Sequence, residues 1–470
     1  MSDNPTLKRR IYPLDPRELS QEELAVVFAM TSRRAEGFDE IRDLVNIEKA
    51  ADFNERWVLG YGHSSVAEHA VLHIAFENIS RLACDTLEDN RLASYTEKSS
   101  RYQIIAPGSY HVPSELLENI EIKRDYLNAC DNLFATYEQL LKQLQFHLSK
   151  TNQQEVKERN GAYGLRLRRE AIDTCRFILP AATLTNVGVT MNARSVEHAV
   201  RKLLSSELME EQAIGSEFKE QAQSITPTLI RYAEPNVYLK TSRSKIQEEA
   251  RKNHVMDSTT SRAPSGVSAK LISFDNEAES RLAKALLYRN SNMSYEQISQ
   301  KVDNLSYDYQ IQIISSALSE MSPHDAPVRE LEQIEYTFEL LLDYGAYREF
   351  KRHRMQSYLP QPLHVGEGFV IPPLIEEANL LGDYKNAIEL ANSSFDSLSS
   401  ISPRLAEYIV THGHIRRVLT KINLRECYAL FKLRVQNQAH FTIQSAMTQA
   451  LQHIQRVHPS LIQFIQLRQE

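Results

Sequence analysis

An ordered set of landmarks that occurs twice constrains this chain more than any other feature. The first half carries His63-Ser64-Ser65-Val66-Ala67-Glu68-His69, then Asn90-Arg91-Leu92-Ala93-Ser94-Tyr95, then Asn192-Ala193-Arg194. The second half carries His324-Asp325-Ala326-Pro327-Val328-Arg329-Glu330, then His353-Arg354-Met355-Gln356-Ser357-Tyr358, then Asn423-Leu424-Arg425. His324 follows His63 by 261 residues and Arg354 follows Arg91 by 263, whereas Asn423 follows Asn192 by only 231. The second copy is thus 32 residues shorter (263 minus 231) between its last two landmarks, matching a long helical insert around 103–170 in the first. A repeat of this period in a chain of 470 residues predicts two domains, 1–240 and 271–470. Between them, 241–270 is polar, contains Arg262-Ala263-Pro264-Ser265-Gly266 and lacks a sustained apolar face, which reads as a linker.

Glycine (14) and proline (17) are too few for a turn-rich all-β protein. Stretches such as Glu115–Leu148 and Phe274–Tyr288 repeat apolar residues every three or four positions, as amphipathic helices do. Ser94-Tyr95-Thr96 and Phe369-Val370-Ile371-Pro372 read as strand ends. The class expected is α+β, helix-rich around a modest sheet. A net charge of −7 gives no general attraction to nucleic acid or an anionic membrane, so an anionic ligand would need local positive charge. No apolar run reaches the roughly 18 residues of a membrane span, and Met1-Ser2-Asp3-Asn4 opens no signal peptide. Cys84, Cys130, Cys175 and Cys427 have no CxxC spacing, which disfavours a zinc ribbon or a disulfide scaffold. A cytoplasmic protein is the expectation.

Several short motifs carry chemistry. Arg352-His353-Arg354 with Ser357 groups donors suited to phosphate, or reads as a solvated basic face beside Arg348 and Lys351. Glu97-Lys98-Ser99-Ser100-Arg101-Tyr102 can hold a nucleotide, with Ser99 and Arg101 on phosphate and Glu97 on a sugar hydroxyl or ring N–H, or is an ordinary polar loop. Ser65 and Glu68 have capping-box spacing, predicting a helix start whose free N–H groups could also meet an anion beside His63. Asn423 and Glu426 open a helix in the same way. On it, Arg425 and Arg434 lie about 180° apart at ~100° per residue, so one helix can serve two ligand parts. His412 and His414 form a weak HxH, read as surface histidines, and no metal site is expected. Walker A, G-x-G-x-x-G and G-x-S-x-G are all absent.

Together the landmarks resemble the flavin-dependent thymidylate synthase family. Its hallmark is R-H-R-x-x-S-x-N-E-x-S-x-R, preceded by G-H-x-S-x-x-E-H and followed by an N-x-R helix. Gly62 to His69 fits the preceding segment, and the hallmark is divided between the halves. The first half keeps Glu97, Ser99 and Arg101 at its end, and the second keeps Arg352-His353-Arg354 and Ser357 at its start. Downstream, Arg176-Phe177-Ile178-Leu179-Pro180 fits the family's arginine before Leu-Pro, where the second half has Glu407. The family's second nucleotide arginine is Arg434 in the second half and Leu203 in the first.

The resemblance implies two tandem synthase-like domains of α+β fold. It also implies deoxyuridylate methylated to thymidylate with methylenetetrahydrofolate and NADPH, FAD as cofactor, and a homodimer forming a pseudo-tetramer. One composite site per chain would hold the nucleotide with Glu97, Ser99, Arg101, Arg176, Arg352 and Arg434. FAD would lie against His63, Ser65, Glu68, Arg352, His353, Arg354, Asn423 and Arg425, with Asn192 and Arg194. The counterpart site, with Leu203, would be dead. Methylation of another pyrimidine nucleotide, and a non-catalytic FAD- or nucleotide-binding paralogue, are the alternatives.

Overall fold

Seven strands fall into two small antiparallel sheets in a computed structural model that describes residues 10–15, 17–60, 64–154, 158–253 and 262–467. The first sheet contains β1 (Val71–Ser80), β2 (Ala93–Glu97) and β3 (Leu184–Asn192), in the order β1-β3-β2. The second contains β4 (Ser268–Phe274), β5 (Glu335–Asp343), β6 (Gln356–Pro360) and β7 (Ile415–Asn423), in the order β4-β5-β7-β6. Strand for strand, β1-β3-β2 matches β5-β7-β6, with β4 an added edge. The register agrees, since Ala93 faces Met191 in the first sheet and Gln356 faces Ile422 in the second. The chain is helix-rich with two modest sheets, as expected.

Two compact units interleave along the chain. One comprises Met1–Lys98, Pro113–Glu115 and Leu184–Asp257, and the other Ser99–Val112, Leu116–Thr183 and Ser258–Glu470. The first-half insert therefore groups with the second half, which the division at 241–270 does not anticipate. Part of that stretch is helical, since a helix runs Val237–Lys252 with no buried residue; 254–261 lies outside the described residues.

In the first unit, β3 alternates, with Thr185, Val187, Val189 and Met191 turned inward onto Leu72, Phe76, Val196, Val200 and Phe218. Leu203, the counterpart of Arg434, is fully buried in this core, so it offers nothing to a ligand. In the second unit, β5 buries Tyr336, Phe338, Leu340 and Leu342 by the same alternation. The helix Ile120–Thr151 buries Tyr126, Leu133, Tyr137, Leu140, Leu144 and Leu148, a stripe at helical spacing that packs on the helix Leu381–Ser399. Gln139 donates to Asp383 across that contact at 2.8 Å. Among the described residues no helix is long and apolar enough to cross a membrane.

The segments around Leu179 and Val410 pair reciprocally inside the second unit. Ala181 N–H donates to Val410 C=O at 2.8 Å while His412 N–H donates to Leu179 C=O at 2.9 Å. Ala182 N–H donates to Tyr408 C=O at 2.8 Å while Gly413 N–H donates to Phe177 C=O at 2.7 Å. Each position and its counterpart differ by the 231 residues that separate Asn192 from Asn423, so the pairing has local two-fold symmetry. The approach is close enough that a Cβ on Gly413 would stand 3.0 Å from the Phe177 carbonyl oxygen. This pairing delivers Arg176, one residue upstream, to the second half.

Several local expectations are corrected. Phe369 makes only isolated bridges, with Pro264 and His414, because neighbouring Gly368 has a left-handed φ of 80°. Ser65 lies in a short 3-10 helix, Ser64–Glu68, so its spacing to Glu68 opens no α-helix; Glu68 instead pairs with Arg194. His412 and His414 are buried, each 1% exposed, because the reciprocal pairing encloses their segment.

Candidate functional site

The helix Leu424–Arg434 organises the site from both ends. Its N-cap Asn423 accepts from Glu426 N–H at 2.8 Å and donates to the Met355 carbonyl, fixing the capped start that the sequence predicts. Glu426, in the first turn, lies 3.0 Å from His353 Nδ1, and Arg434, in the last turn, donates Nε–H to His353 Nε2 at 3.1 Å. Arginine is only a donor, so Nε2 must present its lone pair and the imidazole proton sits on Nδ1, given to Glu426. His353 is buried while Arg352 and Arg354 beside it are exposed.

Arg434 also donates Nη1 to Glu349 Oε2 at 3.1 Å and Nη2 to the Glu349 carbonyl at 3.2 Å. Glu349 lies near the end of the helix Tyr344–Phe350, whose N-cap Asp343 is buried and pushed up to about 6 by that burial. Two first-half arginines reach the same carboxylate: Arg101 Nη1 stands 3.7 Å and Arg176 Nη2 3.6 Å from Glu349 Oε1. Asp173 orients both, accepting from Arg101 Nε at 3.1 Å and Nη2 at 2.9 Å and pairing with Arg176 Nε at 3.0 Å. Ser99 shapes the turn by accepting from Arg101 N–H at 3.2 Å. Burial opposes the charge of Arg101, yet Asp173 and Glu349 hold its pKa above the ordinary value. Burial pulls Arg434 below its ordinary value, aided by Arg352 and Arg101 and opposed by Glu349. His440 lies 3.6 Å from Asp173 and is kept neutral by burial, then by Arg176 and Arg101.

On the opposite side of the same helix, Arg425 donates to the Pro327 carbonyl at 2.9 Å and to Glu332 at 2.8 Å. It lines a cavity of about 450 Å³ with His324, Met355, Asn423, Tyr428 and Lys432, within the usual size of small-molecule sites. Aromatic and thioether walls stand there beside cationic and amide donors and the carboxylates of Asp325, Glu332 and Glu426. The two faces that the helical angle separates thus serve two different places.

The sequence-predicted residues fall into distinct groups. Ser99, Arg101, Arg176, His353 and Arg434 come together, with the Arg352 charge felt at Arg434; Asn423 and Arg425 line the cavity. Glu68, Asn192 and Arg194 belong to the first unit, where Asn192 caps the helix Ala193–Leu204 and Arg194 pairs with Glu68, echoing Arg425 with Glu332. Ser65 is in that unit too, and His63 lies outside the described residues. Glu97 is tied to Arg81 at 2.9 Å inside the first unit, its side chain 4% exposed. Sequence reasoning missed Asp173, Glu349 and His440. The i,i+3 spacing of Asp173 to Arg176 was the available signal for the first.

The sequence model of the thymidylate synthase complementing protein family matches residues 17–228 and 270–460. A UPF0159 protein of Chlamydia muridarum is 30% identical over 434 residues, covering 90% of this chain and 82% of that one. Another from Chlamydia pneumoniae is 29% identical over 433 residues, covering 90% and 81%. A flavin-dependent thymidylate synthase of Thermococcus kodakarensis is 34% identical over 145 residues, 30% of this chain and 49% of that one. With two successive matches spanning most of its length, the chain belongs to the thymidylate synthase complementing protein family.

Proposed function

We propose that this protein methylates deoxyuridylate to thymidylate in a flavin-dependent reaction, taking the methylene from methylenetetrahydrofolate and electrons from NADPH, at one composite site per chain. The observation that carries this reading is the meeting of Arg101 and Arg176 with Arg434 and His353, residues that the divided hallmark and the motifs downstream of it assign to separate halves. Three guanidiniums aimed at one point suit the phosphate of a nucleotide. Asn423 and Arg425, in the cavity on the other side of the helix, would hold part of FAD, and Arg352, His353 and Arg354 are proposed to contact it as well. Flavin, when bound, would supply the reducing electrons for the transferred carbon. The chain's own part is to orient the pyrimidine and stabilise developing charge.

The cysteines favour flavin chemistry over a thiolate nucleophile. All four are buried and outside any disulfide, and burial pushes the thiols of Cys130, Cys175 and Cys427 up, away from the reactive thiolate. Purified protein is expected to be yellow with one FAD per chain, and to release tritium from the pyrimidine C5 of deoxyuridylate. Stoichiometric flavin without that release would point to another pyrimidine nucleotide. Colourless protein that takes up no FAD would overturn the enzyme reading in favour of a non-catalytic paralogue. Arg434→Ala is expected to weaken deoxyuridylate binding by about 1–3 kcal/mol, as loss of a charged hydrogen-bond partner does. Calorimetric titration checks this, and unchanged affinity would remove Arg434 from the site. Two chains are proposed to assemble as a homodimer, measurable by light scattering.

A further inference from the structure

Glu349 occupies the point on which three arginines converge. Its Oε2 is bonded to Arg434, while Oε1 is buried without a hydrogen bond, 3.6 Å from Arg176 Nη2 and 3.7 Å from Arg101 Nη1. Direct guanidinium–carboxylate bonds run at about 2.7–2.9 Å, so this half of the contact is loose. Arg176, 4% exposed, also leaves Nη2 without a hydrogen bond, aimed at the same spot. The arginines are held there by other means, because Asp173 fixes Arg101 and Arg176 from behind and the Glu349 and His353 backbone and ring contacts fix Arg434. The convergence point is therefore prearranged, and the carboxylate filling it hydrogen-bonds only one of the three guanidiniums.

We propose that Glu349 is an internal, displaceable anion that competes with the ligand's phosphate for Arg101, Arg176 and Arg434, and so sets how tightly the site takes a nucleoside monophosphate. The inference rests on the nucleotide reading of this site. An entering phosphate brings more oxygens to the three guanidiniums than the carboxylate offers, but it must either turn Glu349 aside or bear its like charge at close range. Glu349 is then a specificity residue: it penalises weakly anionic ligands and free phosphate, and admits ligands whose remaining atoms bind well enough to displace it.

The test compares the unaltered protein with Glu349→Gln, nearly the same shape without the charge, by calorimetric titration of deoxyuridylate and of inorganic phosphate, with thermal unfolding alongside. Glu349→Gln is expected to bind both probes about tenfold tighter. It is also expected to melt lower than wild type without ligand and to gain more in melting temperature from deoxyuridylate. A merely structural Glu349 would lower the melting temperature without tightening either probe. Wild type that binds deoxyuridylate while Glu349→Gln binds no tighter overturns the role of Glu349 and leaves the nucleotide reading standing. Tighter phosphate with no deoxyuridylate binding in either protein supports the displaceable anion and overturns the nucleotide reading. Binding of neither probe to either protein overturns both.

Discussion

Glu97→Ala is expected to cost about 3–5 kcal/mol of folding stability, the range for removing one partner of a buried ion pair. Arg81 is 1% exposed and Glu97 4%, and Glu97 Oε1 accepts both from Arg81 Nη1 at 2.9 Å and from the Thr185 hydroxyl at 3.0 Å. Alanine would leave the Arg81 guanidinium buried without the carboxylate that accepts from it at 2.9 Å. Urea denaturation of the two proteins measures the difference. Glu97→Gln, which keeps an acceptor but not the charge, should fall between them. Full stability in Glu97→Ala, with loss only of nucleotide affinity, would instead make Glu97 a ligand contact, as the family resemblance implies.

Acid is expected to destabilise the second unit through His414. Burial, then the nearby charges of His364 and Arg262, lowers its pKa to about 3 against an ordinary 6.5. Nδ1 accepts from Thr411 N–H at 3.0 Å, and Nε2, which then carries the proton, lies 2.9 Å from Asn392 Oδ1, so both nitrogens are committed to the neutral ring. Between pH 3 and 6.5 the unfolded chain binds the proton that the folded one excludes. Stability from this group is thus complete above about 6.5 and is lost progressively as pH falls toward 3, up to ~3–5 kcal/mol in all. Denaturation curves at neutral and acid pH should show wild type losing more than His414→Gln, which starts lower but has no imidazole to charge. Equal losses would contradict this assignment.

Much of the fold was legible because it is written as spacing. The helical stripe of Tyr126, Leu133, Leu140 and Leu144, the Asn423 cap and the opposed faces of Arg425 and Arg434 all follow from ~100° per residue. The strands β1, β3, β5 and β7 were harder to see, since Val71–Ser80 breaks its alternation at a bulge between Phe76 and Ile79. Of the site, the arginines were readable from the divided hallmark and the motifs downstream of it. Their partners Asp173 and Glu349 were not, because a carboxylate beside basic residues in sequence looks the same whether it faces solvent or an arginine brought in from another segment. The burial of His412 and His414 was hidden for a similar reason, since only the pairing with Phe177–Ala182 encloses them.

The central claim is that arginines from two halves of one chain act on one anion, and a double-mutant cycle between Arg101 and Arg434 tests it most directly. Deoxyuridylate affinity would be measured for wild type, Arg101→Ala, Arg434→Ala and the double variant. Each single change should weaken binding, and the double should depart from the sum by about 0.5 kcal/mol or more, as residues sharing one ligand do. Strict additivity, or affinity untouched by either change, would mean that the two arginines do not grip the same phosphate.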